Sequence, residues 1–248
     1  MKIEIGRDKF EMAKAAAAFA ADRIRQAIAA NGEARVIFAS AASQLEFVDE
    51  MLKRDDIEWD KVRGFHLDEY VGLPETHGAS FRKFLKERLL AKLPRPVKSF
   101  TFVGGDAADR DAELQRLQDA VREKPIDLAC IGIGENGHIA FNDPPADFEA
   151  KTAYCVVQLD QVCRMQQVGE GWYPNLDAVP THAYSMTVPQ IMATKSIAVI
   201  VPDDRKAKAV AAAVDGPLTN MCPSSILRNH ADCTLFLDPP AAALLKQA

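Results

Sequence analysis

The sequence of 248 residues lacks the features that mark several classes of protein. Its longest purely apolar run, Ala15 to Ala21, is far shorter than the roughly 18 residues that a membrane span needs. Acidic residues stand at positions 4 and 8 with no apolar segment beside them, so no signal peptide is expected. With Gly 13 and Pro 14, the chain has too little of either for a fibrous or low-complexity protein.

The net charge is small and the cysteines are few, and each of these observations argues against certain classes of protein. Lys+Arg 30 against Asp+Glu 35 gives a net charge of −5, which offers no whole-chain argument for binding nucleic acid or an anionic membrane. The five cysteines are odd in number and form no C-x-x-C pair. This argues against a disulfide scaffold and a metal site, and it favours a reducing, cytoplasmic location.

Short Val/Ile/Leu-rich runs alternate with longer helical patterns along the chain. Strands are predicted at 36–39, 62–67, 99–103, 126–131, 197–201 and 234–237, and helices at 9–31, 44–53, 80–92, 107–123 and 205–214. Continuous apolar runs indicate strands buried on both faces. The alternation therefore predicts a three-layer α/β fold, a mostly parallel sheet with helices on both faces. The length fits one domain over 1–248.

One stretch stands apart from this alternation. Residues 166–181 contain two glycines, two prolines and the aromatic pair Trp172-Tyr173. Loops of this length in compact domains are often functional. The sequence therefore predicts a lid or flap at about 160–182.

In parallel sheets, ligands bind beyond the carboxyl ends of the strands, so the residues that follow each strand are the candidate site. The second strand leads into Asp68-Glu69-Tyr70, either an acid/base pair or a solvated acidic turn. The fourth leads into a Gly-rich loop, 132–137, and then His138. This loop matches G-x-G-x-x-G, but Pro144-Pro145 prevents the long helix that a dinucleotide site requires. We interpret it as a loop that presents a histidine for acid/base work.

The first strand leads into Ser40-Ala41-Ala42-Ser43, which opens a helix. Hydroxyls and free amides at such a position bind anions, although an ordinary serine cap has the same sequence. Arg164 and Lys206 are cations that could complete an anion site. A solvated basic face around Lys206 is the alternative.

Two of these segments resemble the glucosamine-6-phosphate deaminase family. Residues 65–73 are similar to its F-x-x-D-E-Y-x-x-L pattern, and residues 132–144 to its G-x-G-x-[DN]-G-H-I-x-F-N-E-P pattern. Lys206-Ala207 fits a late K-A of the family, so the resemblance covers nearly the whole chain. It implies a Rossmann-like fold and an amino-sugar-phosphate deaminase/isomerase that forms fructose 6-phosphate and ammonia with no cofactor. The family includes monomers and hexamers, so a homo-oligomer is compatible with it.

The resemblance also implies roles for individual residues. Asp68 is the expected base between C2 and C1, His138 assists ring opening and Asp143 orients His138, with Asn136 at the family's Asp/Asn position. The expected substrate and phosphate ligands are Ser40, Ala41, Ala42, Ser43, Glu69, Gly137, Arg164 and Lys206. A 6-phosphogluconolactonase-type hydrolase and a non-catalytic sugar-phosphate sensor remain alternatives, and the particular hexosamine stays open.

The chain departs from the family pattern at three places. The phosphate loop, usually T-G-G-T-P, has alanines in place of both glycines. Asp143 is one methylene shorter than the usual Glu. Members activated by N-acetylglucosamine 6-phosphate carry cations shortly after the N-E-P segment, where this chain has only Lys151. No activation by that sugar is therefore expected.

Overall fold

The computed structural model describes residues 1–246 and contains two β-sheets. The strands are β1 Lys2–Ile5, β2 Ala34–Phe38, β3 Val62–His66, β4 Asp68–Tyr70, β5 Ser99–Thr101, β6 Leu128–Ile131, β7 Tyr154–Gln158, β8 His182–Met186, β9 Ser196–Val201 and β10 Cys233–Leu237. Seven of them form a sheet in the order β1-β10-β9-β6-β2-β3-β5, in which every neighbouring pair is parallel. The predicted α/β fold class is confirmed.

Helices connect these strands, as the alternating pattern predicts. They are α1 Lys9–Asn31, α2 Leu45–Leu52, α3 Phe81–Phe84, α4 Arg110–Arg122, α5 Gln161–Gly169, α6 Val188–Met192, α7 Ala207–Asp215 and α8 Pro239–Ala242. After α3 the chain stays helical through a wide turn over Leu85–Leu89 and a tight one over Leu90–Lys92. The caps of α1 follow the sequence signals: the Asp8 side chain accepts from the backbone N–H groups of Phe10 and Glu11, and Gly32 ends the helix at φ 76°.

Alternate side chains of the central strands enter two different cores. Ile37, Ile131 and Val199 pack on one face of the large sheet, whereas their neighbours Val36 and Cys130 pack on the other. Both faces are covered, which accounts for the continuous apolar runs in the sequence. The layer order is helix, sheet, helix.

The second sheet is not part of the sequence prediction. It has three antiparallel strands in the order β4-β8-β7, and it lies at the carboxyl end of β3, separated from that strand by Leu67 alone. β4 is short and polar, so no apolar run marks it. This sheet supplies one wall of the cavity described below. Within residues 1–246 we find no helix with both the length and the apolar character needed to span a bilayer.

Candidate active site

A small cleft of about 70 Å³ opens beyond the carboxyl ends of β2, β3 and β6. It is lined by Ala39, Ser40, Ala41, Ser43, Leu67, Asp68, Phe81, Gly132, Ile133, Gly134, His138, Ala140, Phe141, Gln166, Gln167, Glu170, Trp172 and Lys206. Six residues that the sequence nominates therefore meet here: Ser40, Ala41, Ser43, Asp68, His138 and Lys206.

Asp68 is the first residue of β4 and lies opposite Ser185 of β8. Its side chain faces the cleft, yet the residue is only 7% exposed. Burial, and secondarily the neighbouring charge of Glu69, raises the pKa of Asp68 well above its ordinary value. A carboxyl group in this state is a stronger base, once ionised, than one in water.

A hydrogen-bonded group surrounds His138. The Asn136 amide donates to Asp143 Oδ1 at 2.9 Å and to Asp160 Oδ2 at 3.0 Å, while Asn136 Oδ1 accepts from the His138 backbone N–H. His138 Nδ1 lies 3.1 Å from Asp143 Oδ1, at ion-pair distance though not aligned as a hydrogen bond. Burial alone would raise the pKa of Asp143, but the adjacent His138 and hydrogen bonds from Asn136 and the Asp160 backbone hold it below its ordinary value. Asp143 is therefore an ionised partner for the imidazole.

Two glycines of the 132–137 loop make this arrangement possible. A Cβ atom on Gly134 would lie 2.2 Å from ring atoms of His138, so only glycine leaves room for the imidazole. Gly137 has φ +85°, in the left-handed region that favours glycine, and it does not line the cleft. No helix follows the loop, because residues 139–142 form a turn before Pro144.

A second group in the cleft lining has the composition of an anion site. Lys206 is 4% exposed, has no carboxylate within salt-bridge distance among residues 1–246, and its pKa is lowered by burial. Ser40 Oγ is buried without a hydrogen-bond partner in the same described part of the chain. The alanine pair fits here because Ala41 is extended at φ −152° and Ala42 starts a tight turn, so neither needs the freedom of glycine. Ala42 lines a neighbouring pocket instead of the cleft.

Comparison with known proteins identifies the family. Residues 7–236 match the family described as glucosamine-6-phosphate isomerases/6-phosphogluconolactonase. The chain belongs to this family. It is 35% identical over 215 residues to the glucosamine-6-phosphate deaminase of Listeria monocytogenes serotype 4a (strain HCC23), with 87% of this chain and 89% of the relative covered.

Solved structures of the family agree. A monomeric glucosamine-6-phosphate deaminase of the NagB superfamily has a TM-score of 0.88 at 26% identity, with 98% of this chain and 100% of that chain covered. The 6-phosphogluconolactonase from Leishmania guyanensis has a TM-score of 0.78 at 17% identity, with 99% of each chain covered, and so shares the fold alone. The predicted family resemblance is confirmed.

Four of the nominated ligands do not line the cleft: Ala42 and Gly137, described above, and also Glu69 and Arg164. Glu69 follows Asp68 in β4 and points the opposite way, as alternate residues of a strand do. Its fully buried carboxylate accepts from Ser80 Oγ and from the backbone of Tyr70, Phe81 and Arg82. In this structure the oxygens of Glu69 are engaged in fixing the start of α3, and its role as a substrate ligand stays a prediction.

Arg164 is likewise engaged within the protein, and its role as a phosphate ligand stays a prediction. Its guanidinium donates to the carbonyl oxygens of Leu176 and Val179, at 2.6 and 2.9 Å, and it does not line the cleft. Arg164 thus ties α5 to the end of the 170–180 segment. Asn136 and Asp143 also lie outside the cleft lining and contact it through His138.

The 160–182 segment contributes residues that the sequence prediction omits. It begins with a helix, α5, where a loop was expected from 166 onward, and Asp160 caps that helix by accepting from the Cys163 backbone N–H. An Asp followed by nine residues without proline was an available helix signal. Four residues of the segment line the cleft: Gln166, Gln167, Glu170 and Trp172.

One group of side chains has the composition of a metal site. Ligand atoms of His138, Asp143 and Cys163 lie within 4.8 Å of one another. Burial raises the pKa of the Cys163 thiol, which disfavours the thiolate that metals bind. The nearer carboxylate oxygen of Asp143 is already engaged by Asn136 and His138. We therefore assign the group to positioning His138.

Proposed function

We propose that this protein converts a hexosamine 6-phosphate, glucosamine 6-phosphate first, and water to fructose 6-phosphate and ammonia. The observation that carries the proposal is the position of Asp68, a buried carboxyl of raised pKa at the same cleft as His138 and Lys206. A base, an imidazole paired with a carboxylate, and a buried cation are the groups that this reaction requires. The named deaminase relatives support the same activity.

The phosphate group would occupy the end of the cleft formed by Ser40, Ser43 and Lys206. The buried ammonium of Lys206 and the unpartnered Ser40 hydroxyl both gain a partner there. Charge-assisted hydrogen bonds of this kind are the strong ones. Binding the phosphate at this end leaves C1 and C2 of the sugar toward Asp68 and His138.

His138 would open the pyranose ring by moving the proton of the C1 hydroxyl to the ring oxygen. Asp143 stabilises the imidazolium that forms in passing, and Asn136 holds Asp143 and the histidine backbone in place. The product of this step is the open-chain aldehyde, with the amine still on C2.

Asp68 would then take the proton from C2 and return it to C1. The electron pair of the broken C2–H bond passes through an enol, and C2 becomes an iminium carbon when C1 is protonated. Water adds to C2, ammonia leaves, and fructose 6-phosphate remains. The atoms balance with water as the only co-reactant, and neither metal nor redox cofactor is called for. The five free cysteines fit a reducing compartment, so we place the protein in the cytoplasm.

An ammonia-release assay over glucosamine, galactosamine and mannosamine 6-phosphates tests the proposal, with 6-phosphogluconolactone hydrolysis measured in parallel. We expect ammonia from at least one hexosamine, and a loss of about 10²- to 10⁴-fold in Asp68→Asn. Asp177→Asn, at an exposed aspartate of the 160–182 segment, is the matched control.

Two other outcomes identify the alternatives. Lactone hydrolysis that survives Asp68→Asn, without ammonia release, would show a lactonase. Tight binding of sugar phosphates with no turnover of any of them would show a sensor.

A further inference from the structure

One side chain of helix α5, that of Gln167, borders the cleft and makes no hydrogen bond with the described part of the protein. The buried residues of this helix are Cys163 and Gln167, four positions apart on one face. Gln167 is 6% exposed and lines the cleft. Its side-chain amide has no hydrogen-bond partner within residues 1–246, where only its backbone carbonyl is engaged, by the Trp172 N–H.

The preceding glutamine shows the contrast. Gln166 Oε1 accepts from the Glu135 backbone N–H at 3.1 Å, and Gln166 Nε2 donates to Glu170 Oε1 at 2.8 Å. Gln166 is therefore occupied in structure, although it too borders the cleft. Neither amide atom of Gln167 is among the fully enclosed side-chain atoms that lack a partner, so the amide stays accessible from the cleft. A ligand that supplies a donor and an acceptor can bind this amide without displacing a protein contact.

The two neighbours of Gln167 on this face locate it along the cleft. Cys163, one turn earlier, lies beside His138 and Asp143 at the reacting end. Glu170, one turn later, is the carboxylate that most raises the pKa of Lys206, and both residues line the same neighbouring pocket. The amide of Gln167 thus lies between the two ends, which are separated by roughly 10 Å along the helix.

We infer that Gln167 is a specificity-determining residue that reads the hydroxyl groups on C3 and C4 of the bound sugar. With C1 and C2 at Asp68 and His138 and the C6 phosphate at Lys206, these are the hydroxyls left in the middle of the ligand. A neutral amide both donates and accepts, as a hydroxyl does. Glucosamine and galactosamine differ at C4, so this residue discriminates between them. The inference rests on the proposed function.

The test compares Gln167→Met, which keeps the length of the side chain and removes the amide, with Gln161→Met at an exposed position of the same helix. Values of kcat/KM are measured for glucosamine 6-phosphate, its C4 epimer, and its 3-deoxy and 4-deoxy analogues. We expect Gln167→Met to lower kcat/KM for the preferred sugar about 10- to 100-fold and to bring the ratio between the C4 epimers toward one. For the analogue that lacks the hydroxyl Gln167 reads, the loss should be less than about 3-fold. Gln161→Met should behave as wild type.

Equal losses for all four sugars, or none, would overturn the inference while leaving the deaminase activity established. If the wild type releases no ammonia, the proposed function fails instead, and calorimetric affinities of the same sugar phosphates for the two variants decide the role of Gln167. If Gln167→Met does not fold, two other measurements test the inference. One is the same set of kcat/KM values for Gln167→Asn, and the other is the preference of the wild type for the parent sugar over each deoxy analogue. A wild type indifferent to both deoxy analogues would refute the inference without any variant.

Discussion

A carboxyl group as deeply buried as that of Asp68 opposes folding whenever it is ionised. Its raised pKa means that the folded protein holds this proton at pH values where the unfolded chain has released it. The unfolded state then binds fewer protons, so the free energy of unfolding falls as pH rises above about 4, the ordinary pKa of an aspartate. The loss stops once the pH exceeds the raised pKa.

Asp68→Asn should accordingly stabilise the protein while it stops the reaction. The asparagine carries no charge to bury, so the melting temperature should exceed that of wild type by a margin that is absent near pH 3 and grows toward pH 7. Exchange of the C2 proton with solvent deuterium, followed by NMR, should fall by about 10²- to 10⁴-fold. Near-normal exchange, or a lower melting temperature at pH 7, would contradict this account of Asp68.

Gly134 offers a second test at the residue scale. In Gly134→Ala the new methyl group would meet the His138 ring at 2.2 Å, so the imidazole must move from Asp143. We expect kcat to fall about 100-fold, since misplacing a catalytic group by about 1 Å has an effect of that order. Gly169→Ala is the control, because a Cβ there meets nothing within 4 Å. Equal activity of the two variants would remove His138 from the mechanism.

At the scale of the element, α5 and the segment after it form a wall held by an apolar cluster, which includes Cys163 and Tyr173, and by a few polar contacts. Asp160 joins the start of α5 to Asn136 and Asp143, and Arg164 joins its middle to the carbonyls of Leu176 and Val179. We propose that this wall is the movable flap of the cleft. A flap tied at these points would transmit its position to His138 through Asp143.

Arg164→Met and Lys206→Met separate the flap from the anion site. Arg164→Met should leave the affinity for inorganic phosphate unchanged and accelerate proteolysis within 170–180, because the carbonyls lose their donor. Lys206→Met should leave proteolysis unchanged and raise KM about 10- to 100-fold, because it removes a charge-assisted contact with the phosphate. If one of the variants changed both the rate of proteolysis and the binding of phosphate or substrate, the flap and the anion site would not be separable.

The sequence was most informative where a strand ends in a distinctive side chain. Ser40, Asp68, His138 and Lys206 could be placed at one edge because parallel strands share a carboxyl end. The roles of Glu69 and Arg164 could not be settled in this way. Glu69 required the knowledge that β4 is a strand, so that adjacent side chains diverge, and Arg164 required the helix that turns it toward residues 176–179.

The strands that the sequence prediction omits lack the continuous apolar run on which that prediction depends. β7 and β8 belong to a small antiparallel sheet, and β7 has only its first residue fully buried, so it shows no continuous apolar run. β1 is exposed along its whole length and gave no strand signal at all. The unpaired amide of Gln167 depends on neighbours that are distant in sequence, which no local pattern reveals.

At the scale of the whole molecule, a second cavity of about 640 Å³ is lined by residues of the 141–160 region and Thr187. Its only basic residue among those described is Lys151, whose side chain is 89% exposed. One exposed lysine gains little from an anion. N-acetylglucosamine 6-phosphate should therefore not activate the enzyme, and substrate saturation should be hyperbolic with or without it. A sigmoidal curve that this sugar makes hyperbolic would contradict the prediction.

The pairing of β1 with β10 has a consequence for the order in which the protein can be made. The register joins Lys2 to Thr234, so β1 has no partner during synthesis until β10 has been made. During that interval Ile3 and Ile5, still 41% and 53% exposed in the finished fold, lie on an unpaired strand. Completion of the sheet is thus a late event that depends on long-range pairing. Nascent chains that stall before β10 would expose β1 as an unpaired, aggregation-prone strand to which chaperones can bind.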